Sequence, residues 1–152
     1  LNARDDARVC VNIGDIELRR FREALYIVRP LPRAGGFSVA IRSRQSLHLP
    51  QLAGKLGWER RAGDGIAATY WRHAVLTLKP RGSGERLRLH DGGPARTVRN
   101  LFQEAGIPPW QRERLPMIHV NGVLAAVPGL GVSVDFRPAA GMTGWFPVWF
   151  PD

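Results

Sequence analysis

One stretch of the chain, Pro94 to Ala105, carries a clear helical stripe, and the rest breaks into extended runs of a few residues. Val98, Leu101, Phe102 and Ala105 fall at i, i+3, i+4 and i+7 and line one helical face. Pro94 suits the first helical position and Gly106 the C-cap. Arg96, Arg99 and Gln103 lie opposite the stripe. The pattern predicts a helix anchored in a core that presents two guanidinium groups to solvent. One such helix among many short strands makes the chain α+β and sheet-dominated, with mostly antiparallel pairing.

The strands read as follows. Val9 to Ile13 alternates, stops at Gly14-Asp15, and is followed by an extended run from Ile16 to Val28, which together read as a hairpin. Arg29 to Gly36 is a loop. Phe37 to Ile41, Ser46 to Leu49 and Lys55 to Arg60 are short strands, and Gly63-Asp64-Gly65 is a turn. Ala74 to Leu78 and Arg86 to Leu89 are strands joined by Arg81-Gly82-Ser83-Gly84-Glu85. After a short helical turn at Pro109 to Arg114, Met117 to Val120 and Val123 to Val127 flank Asn121-Gly122, a strong two-residue hairpin signal. Trp145 to Phe150 is a last strand, placed at an edge by Pro147.

At 152 residues the chain has room for one domain and its own core. Its 22 basic and 13 acidic residues leave a net charge of +9, which makes a polyanion the first partner to test. Residues 1–73 carry +6 of this and residues 74–152 carry +3, so there is no basic tail. Cys10 is the only cysteine, which rules out an intrachain disulfide or a Cys-based zinc cage and points to a reducing, cytoplasmic setting. No apolar run approaches the roughly 18–20 residues of a membrane helix, so a membrane is not an expected partner. The opening at Leu1 reads as the end of a helix, which suggests a piece of a longer protein.

No nucleophile elbow, phosphate loop or dinucleotide fingerprint occurs, and His48, His73, His90 and His119 share no metal-ligand spacing. The residues therefore read as a binding module without catalytic or metal-binding residues. Arg96 and Arg99, with Arg112 and Arg114 after them, form the densest basic group, suited to neutralising phosphates. Lys79, Arg81, Arg86 and Arg88 flank the Gly-Ser-Gly turn, whose amides can also meet phosphate, although charged strand edges serve equally to prevent aggregation. Arg20 and Arg22 share a strand face and Arg19 takes the other. Trp110, Trp145 and Trp149 could stack on unpaired bases, but their apolar, proline-rich settings read as core, and an RNA duplex needs only shape and phosphate contact.

The run Phe102-Gln103-Glu104-Ala105-Gly106-Ile107-Pro108-Pro109-Trp110-Gln111-Arg112-Glu113-Arg114-Leu115-Pro116, followed by Leu124 to Val132, resembles the C-terminal domain of bacterial tRNA(Ile)-lysidine synthetase. Arg81-Gly82-Ser83-Gly84-Glu85-Arg86 is similar to that family's R-x-G-G-E-R turn, with Ser83 where the family favours Gly. Leu47-His48-Leu49-Pro50, Ala3 to Ala7 and Glu17 to Arg22 also resemble family segments.

The resemblance implies an antiparallel, β-sandwich-like, three-layer fold with one main helix, similar to a domain of the phenylalanyl-tRNA synthetase β subunit. It implies that residues 1–8 end a preceding helical domain and that 9–152 are the C-terminal tRNA-binding domain. The whole enzyme would use ATP and Mg to adenylate the wobble cytidine of isoleucine tRNA and join lysine to it. This chain would hold no cofactor. Its partners would be the acceptor stem of isoleucine tRNA, through Arg96, Arg99, Arg112, Arg114, Lys79, Arg81, Arg86 and Arg88, and the N-terminal catalytic domain of the same chain. Thr97 and Asn100 stand at helix positions that are often basic in the family. The alternative reading is an interdomain or dimerisation module, with a homodimer as partner and no direct RNA contact.

Overall fold

The computed structural model describes residues 8–32 and 35–152. The helix end expected at residues 1–8 lies outside them except for Arg8, which opens a strand. In chain order the elements are β1 (Arg8–Ile13), β2 (Ile16–Phe21), β3 (Ala24–Val28), β4 (Val39–Ile41), β5 (Leu47–Leu49), β6 (Gly54–Ala62) and β7 (Ile66–Ala67). Then come α1 (Ala68–His73), β8 (Leu76–Lys79), β9 (Arg86–Leu87), β10 (Arg96–Thr97), α2 (Val98–Ala105), α3 (Pro109–Arg112), β11 (Met117–Val120), β12 (Val123–Val127), β13 (Gly131–Val132) and β14 (Thr143–Pro151).

Three layers stack as the resemblance implies. A four-stranded sheet ordered β5-β6-β14-β7 faces a five-stranded sheet ordered β13-β12-β11-β8-β4. Leu49, Leu56 and Ile66 of the first meet Leu76, Leu78, Ile118 and Val120 of the second in one core. On the far side of the five-stranded sheet, Met117 and Val127 meet Val98, Leu101 and Phe102 of α2 in a second core. All four residues of β11 are buried because both faces of that strand are covered. The β11–β12 hairpin turns on Asn121 and Gly122 at φ 48° and 82°, the left-handed pair a two-residue turn requires.

Four expectations need correction. The run from 16 to 28 is two strands, so β1, β2 and β3 make a three-stranded meander. The extra reversal falls at Arg22, which takes φ 54° and donates from Nη2 to the Gln103 carbonyl at 2.6 Å. That bond spans 81 residues, so no local signal announces it. Arg22 consequently sits on a turn and not on a strand face beside Arg20.

The main helix starts at Val98, not Pro94. Thr97 caps it by accepting from the Asn100 amide at 3.2 Å, and Arg96 belongs to β10. Gly106 ends the helix at φ 71° as the sequence predicts. β8 and β9 do not pair: β8 lies between β11 and β4, and β9 pairs only with β10, so the Gly-Ser-Gly turn crosses between sheets. Lastly, β14 is not an edge strand over its whole length, since it lies between β6 and β7. β7 reaches only Gly144 and Trp145, however, so Pro147 sits where that side is open and its missing N–H leaves no ladder bond unmade.

Meander and body join through rings. Trp110 meets Phe21 and Tyr26 edge-on at 6.2 and 5.2 Å between centroids. The other meander face carries apolar side chains with Arg20 among them. Val11 pairs with Leu18 and Leu18 with Ile27, and Ile13 and Leu25 share that face. Ile13, Leu25 and Ile27 are 64, 63 and 75 % exposed.

β6 and β14 pair from Thr143↔Ala62 to Pro151↔Gly54, and Trp149 folds over Gly54. A Cβ on Gly54 would fall 2.2 Å from the indole ring. Gly54→Ala is therefore expected to destabilise the fold by about 1–3 kcal/mol through overpacking. Urea unfolding followed by tryptophan fluorescence measures this, and an unchanged midpoint would contradict it.

His119 on β11 is buried, with Nδ1 3.3 Å from the Met117 carbonyl. Burial pushes its pKa below the ordinary imidazole value, with Lys79 adding to the shift and Glu85 and the Met117 carbonyl opposing it. The unfolded chain then takes up a proton at a higher pH than the folded one. Stability is expected to rise with pH through the window just below about 6.5 and to level off above it. Urea midpoints at pH 5 and 7.5 test this, and His119→Gln should flatten the difference.

Candidate nucleic-acid interface

The turn after β8 is clamped to the start of α2. The Val98 amide donates to the Glu85 carbonyl at 2.8 Å, and the Gly82 amide donates to Glu85 Oε1 at 2.7 Å. Between turn and helix lies an open cleft of about 550 Å³ lined by Arg81, Gly82, Ser83, Gly84, Thr97, Arg99 and Glu113. Arg81 is part-buried, with its guanidinium 5.3 Å from the Phe102 ring centroid. Burial lowers its pKa, Glu113 opposes that, and Arg99 adds its like charge to the lowering. An arginine stays charged under such a shift. Arg81 and Arg99 are thus two cations on one cleft that Glu85 and Glu113 also line, with the Gly82 and Val98 amides taken by Glu85 and the Asn100 amide by Thr97.

The other basic residues singled out in the sequence go elsewhere. Arg96 turns to Glu104 at 2.6 Å, a hydrogen bond that raises its pKa, and lines a separate hollow with His90 and Leu130. The expected joint face of Arg96 and Arg99 does not form, because Arg96 lies on a strand. Arg88 pairs with Asp135. Arg86 donates to the Ala95 carbonyl at 3.2 Å, and Lys79 is exposed at the end of β8. Arg112 is 5 % exposed and its Nε donates to the Ile107 carbonyl at 2.6 Å, so it serves the fold from within. Arg114 donates to the Arg29 carbonyl at 2.9 Å, and burial, with Arg19 nearby, lowers its pKa.

Sequence reasoning passed over a second concavity. A groove of about 660 Å³ runs between the meander, α3 and β14. Trp110, Phe146 and Trp149 line it with Arg61 and Arg114. These tryptophans are part-exposed, and Trp149 touches both cores, so the reading of them as pure core is only half right. Arg61 pairs with Gly144 and reaches the Phe146 ring on the same face, a placing that only the sheet register reveals.

Comparison with known proteins follows the same lines. Residues 76–149 match the family described as the TilS substrate C-terminal domain. A tRNA(Ile)-lysidine synthase of Ralstonia nicotianae is 34 % identical over 99 % of this chain and 34 % of its own length. One from Serratia proteamaculans is 30 % identical over 97 % of this chain and 33 % of its own length, and one from Azoarcus sp. is 44 % identical over 59 % and 20 %. The chain thus spans about a third of these relatives or less. In structure it resembles a crystallised TilS C-terminal domain with TM-score 0.61, at 21 % identity, covering 77 % of this chain and 98 % of that one. That likeness shows the three-layer fold, and the sequence matches carry the rest: the chain belongs to the family of tRNA(Ile)-lysidine synthase C-terminal domains.

Proposed function

We propose that this chain is the tRNA-gripping part of a tRNA(Ile)-lysidine synthase. The whole enzyme would work in the cytoplasm and ligate lysine to the wobble cytidine of isoleucine tRNA, using ATP with Mg in a catalytic domain elsewhere in the protein. The part described here would hold the acceptor stem through arginine–phosphate contacts and catalyse nothing by itself. Among the described residues no three His, Cys, Asp or Glu side chains converge to hold a metal ion. The observation that carries the reading is the pairing of Arg81 and Arg99 across a cleft floored by a glycine turn and a helix start. Counterion release makes such binding fall steeply with salt. Filter binding of isoleucine tRNA across a salt series tests it, and an affinity that ignores salt would overturn it.

A second reading, docking without RNA contact, is favoured by the exposed apolar side chains of the meander, Ile13, Leu25 and Ile27. Contiguous exposed apolar surface of this kind marks interaction sites. Light scattering over a concentration series is expected to show self-association that Leu25→Ser/Ile27→Ser abolishes if that face docks a second copy. A stable dimer that leaves tRNA unbound would put this reading ahead of the first.

A further inference from the structure

We infer that the groove between α3 and β14 takes unpaired nucleotides at the end of the RNA stem that the Arg81–Arg99 cleft holds, a step that rests on the reading above. The groove offers what single strands require and a duplex does not. The rings of Trp110 and Phe146 line it with Arg61 and Arg114, while Trp149, which also borders it, turns its ring over Gly54 on the other face of β14. Arg61 lies 3.7 Å over the Phe146 ring centroid, and its Nη2 reaches Glu59 at 2.7 Å while its Nη1 lies 3.7 Å from Asp64, so it is fixed in place by two carboxylates and one ring. Trp110 is held by edge contacts from Phe21 and Tyr26 on the meander, with Arg19 5.7 Å over its ring. Aromatic rings flanked by arginines are the general platform for single-stranded nucleic acid, because every base has a face to stack and every linkage a charge.

Position supports the same occupant. α3 separates the two concavities: Glu113, just after it, lines the phosphate cleft, while Trp110 and Arg114 line the groove. A strand leaving a duplex in the first has only this short segment to cross before it meets the second. The volume of about 660 Å³ lies within the about 300–1,000 Å³ typical of small-ligand sites, enough for a nucleoside. With a net charge of +9 the chain draws an anionic strand to either hollow.

The test uses the 152-residue chain and three fluorescent RNA hairpins with one common stem. One is blunt, one has a short unpaired 3′ tail, and one carries the same tail without bases. The tailed hairpin is expected to bind at least about fivefold tighter than the blunt one, the effect of one stacked base, and the abasic tail to lose most of that gain. Arg61→Gln and, separately, Trp110→Leu should reduce the gain while the affinity for the blunt hairpin stays as it was. Thermal melting of both variants confirms that they fold. Equal binding of blunt and tailed hairpins would overturn the inference and leave the cleft standing. So would a full gain with the abasic tail, or a gain that both folded variants retain. If no hairpin binds, the cleft reading fails and this one falls with it.

Discussion

Phe102→Ala is expected to destabilise the domain by about 3–5 kcal/mol, the usual loss for a fully buried phenylalanine. Phe102 has no exposed surface and sits at the middle of the second core, against Val98, Leu115, Met117 and Val127. Its removal leaves a hole between α2 and the five-stranded sheet that strands of this stiffness cannot close. The ring also lies under two guanidinium groups, Arg81 at 5.3 Å and Arg112 at 6.0 Å. The substitution should therefore weaken RNA binding in whatever fraction stays folded, because Arg81 loses the surface that positions it. Phe102→Leu retains most of the volume and none of the ring, so it separates the two effects. Urea midpoints give the first and hairpin affinity the second. A loss below about 1 kcal/mol for the alanine variant would contradict the packing account.

The second large effect concerns salt. Each phosphate contact contributes about 0.9 to the slope of log affinity against log salt, so Arg81→Gln/Arg99→Gln should lower that slope by about two. Arg96→Gln and Arg88→Gln should change it little, since those guanidinium groups already face Glu104 and Asp135. Arg112→Gln should show its effect in unfolding and not in the slope, as its guanidinium is turned inward to the Ile107 carbonyl. A slope that falls equally for every one of these variants would mean that overall charge, and not the cleft, attracts the RNA.

The contrast among these arginines shows what was legible in the sequence. The 3.6-residue period of Val98, Leu101 and Phe102 reports burial directly, and the helix face they define is the one that packs. Asn121-Gly122 specifies its own turn through backbone conformation, so that hairpin was legible too. The start of α2 was not. Pro94 and Thr97 both make good helix starts, and only the pairing of Arg96 with Leu87 decides between them. Likewise the charge of Arg112 is plain in the sequence, while its burial depends on a carbonyl five residues away and on the ring of Phe102. Arg61 and the rings of β14 are far apart in the chain and meet only through sheet register. Periodicity sees one element at a time, and the candidate sites here are made by pairs of elements.

The bond from Arg22 to the Gln103 carbonyl has one more consequence. It fastens the meander to the last turn of α2, whose first turn carries Arg99. A helix of eight residues is about 12 Å long and does not bend at that length. The hydrophobic side of the meander and the cationic end of the helix are thus set at an invariant spacing, as by a splint. Any two bodies engaged there at the same time inherit that separation and cannot drift independently.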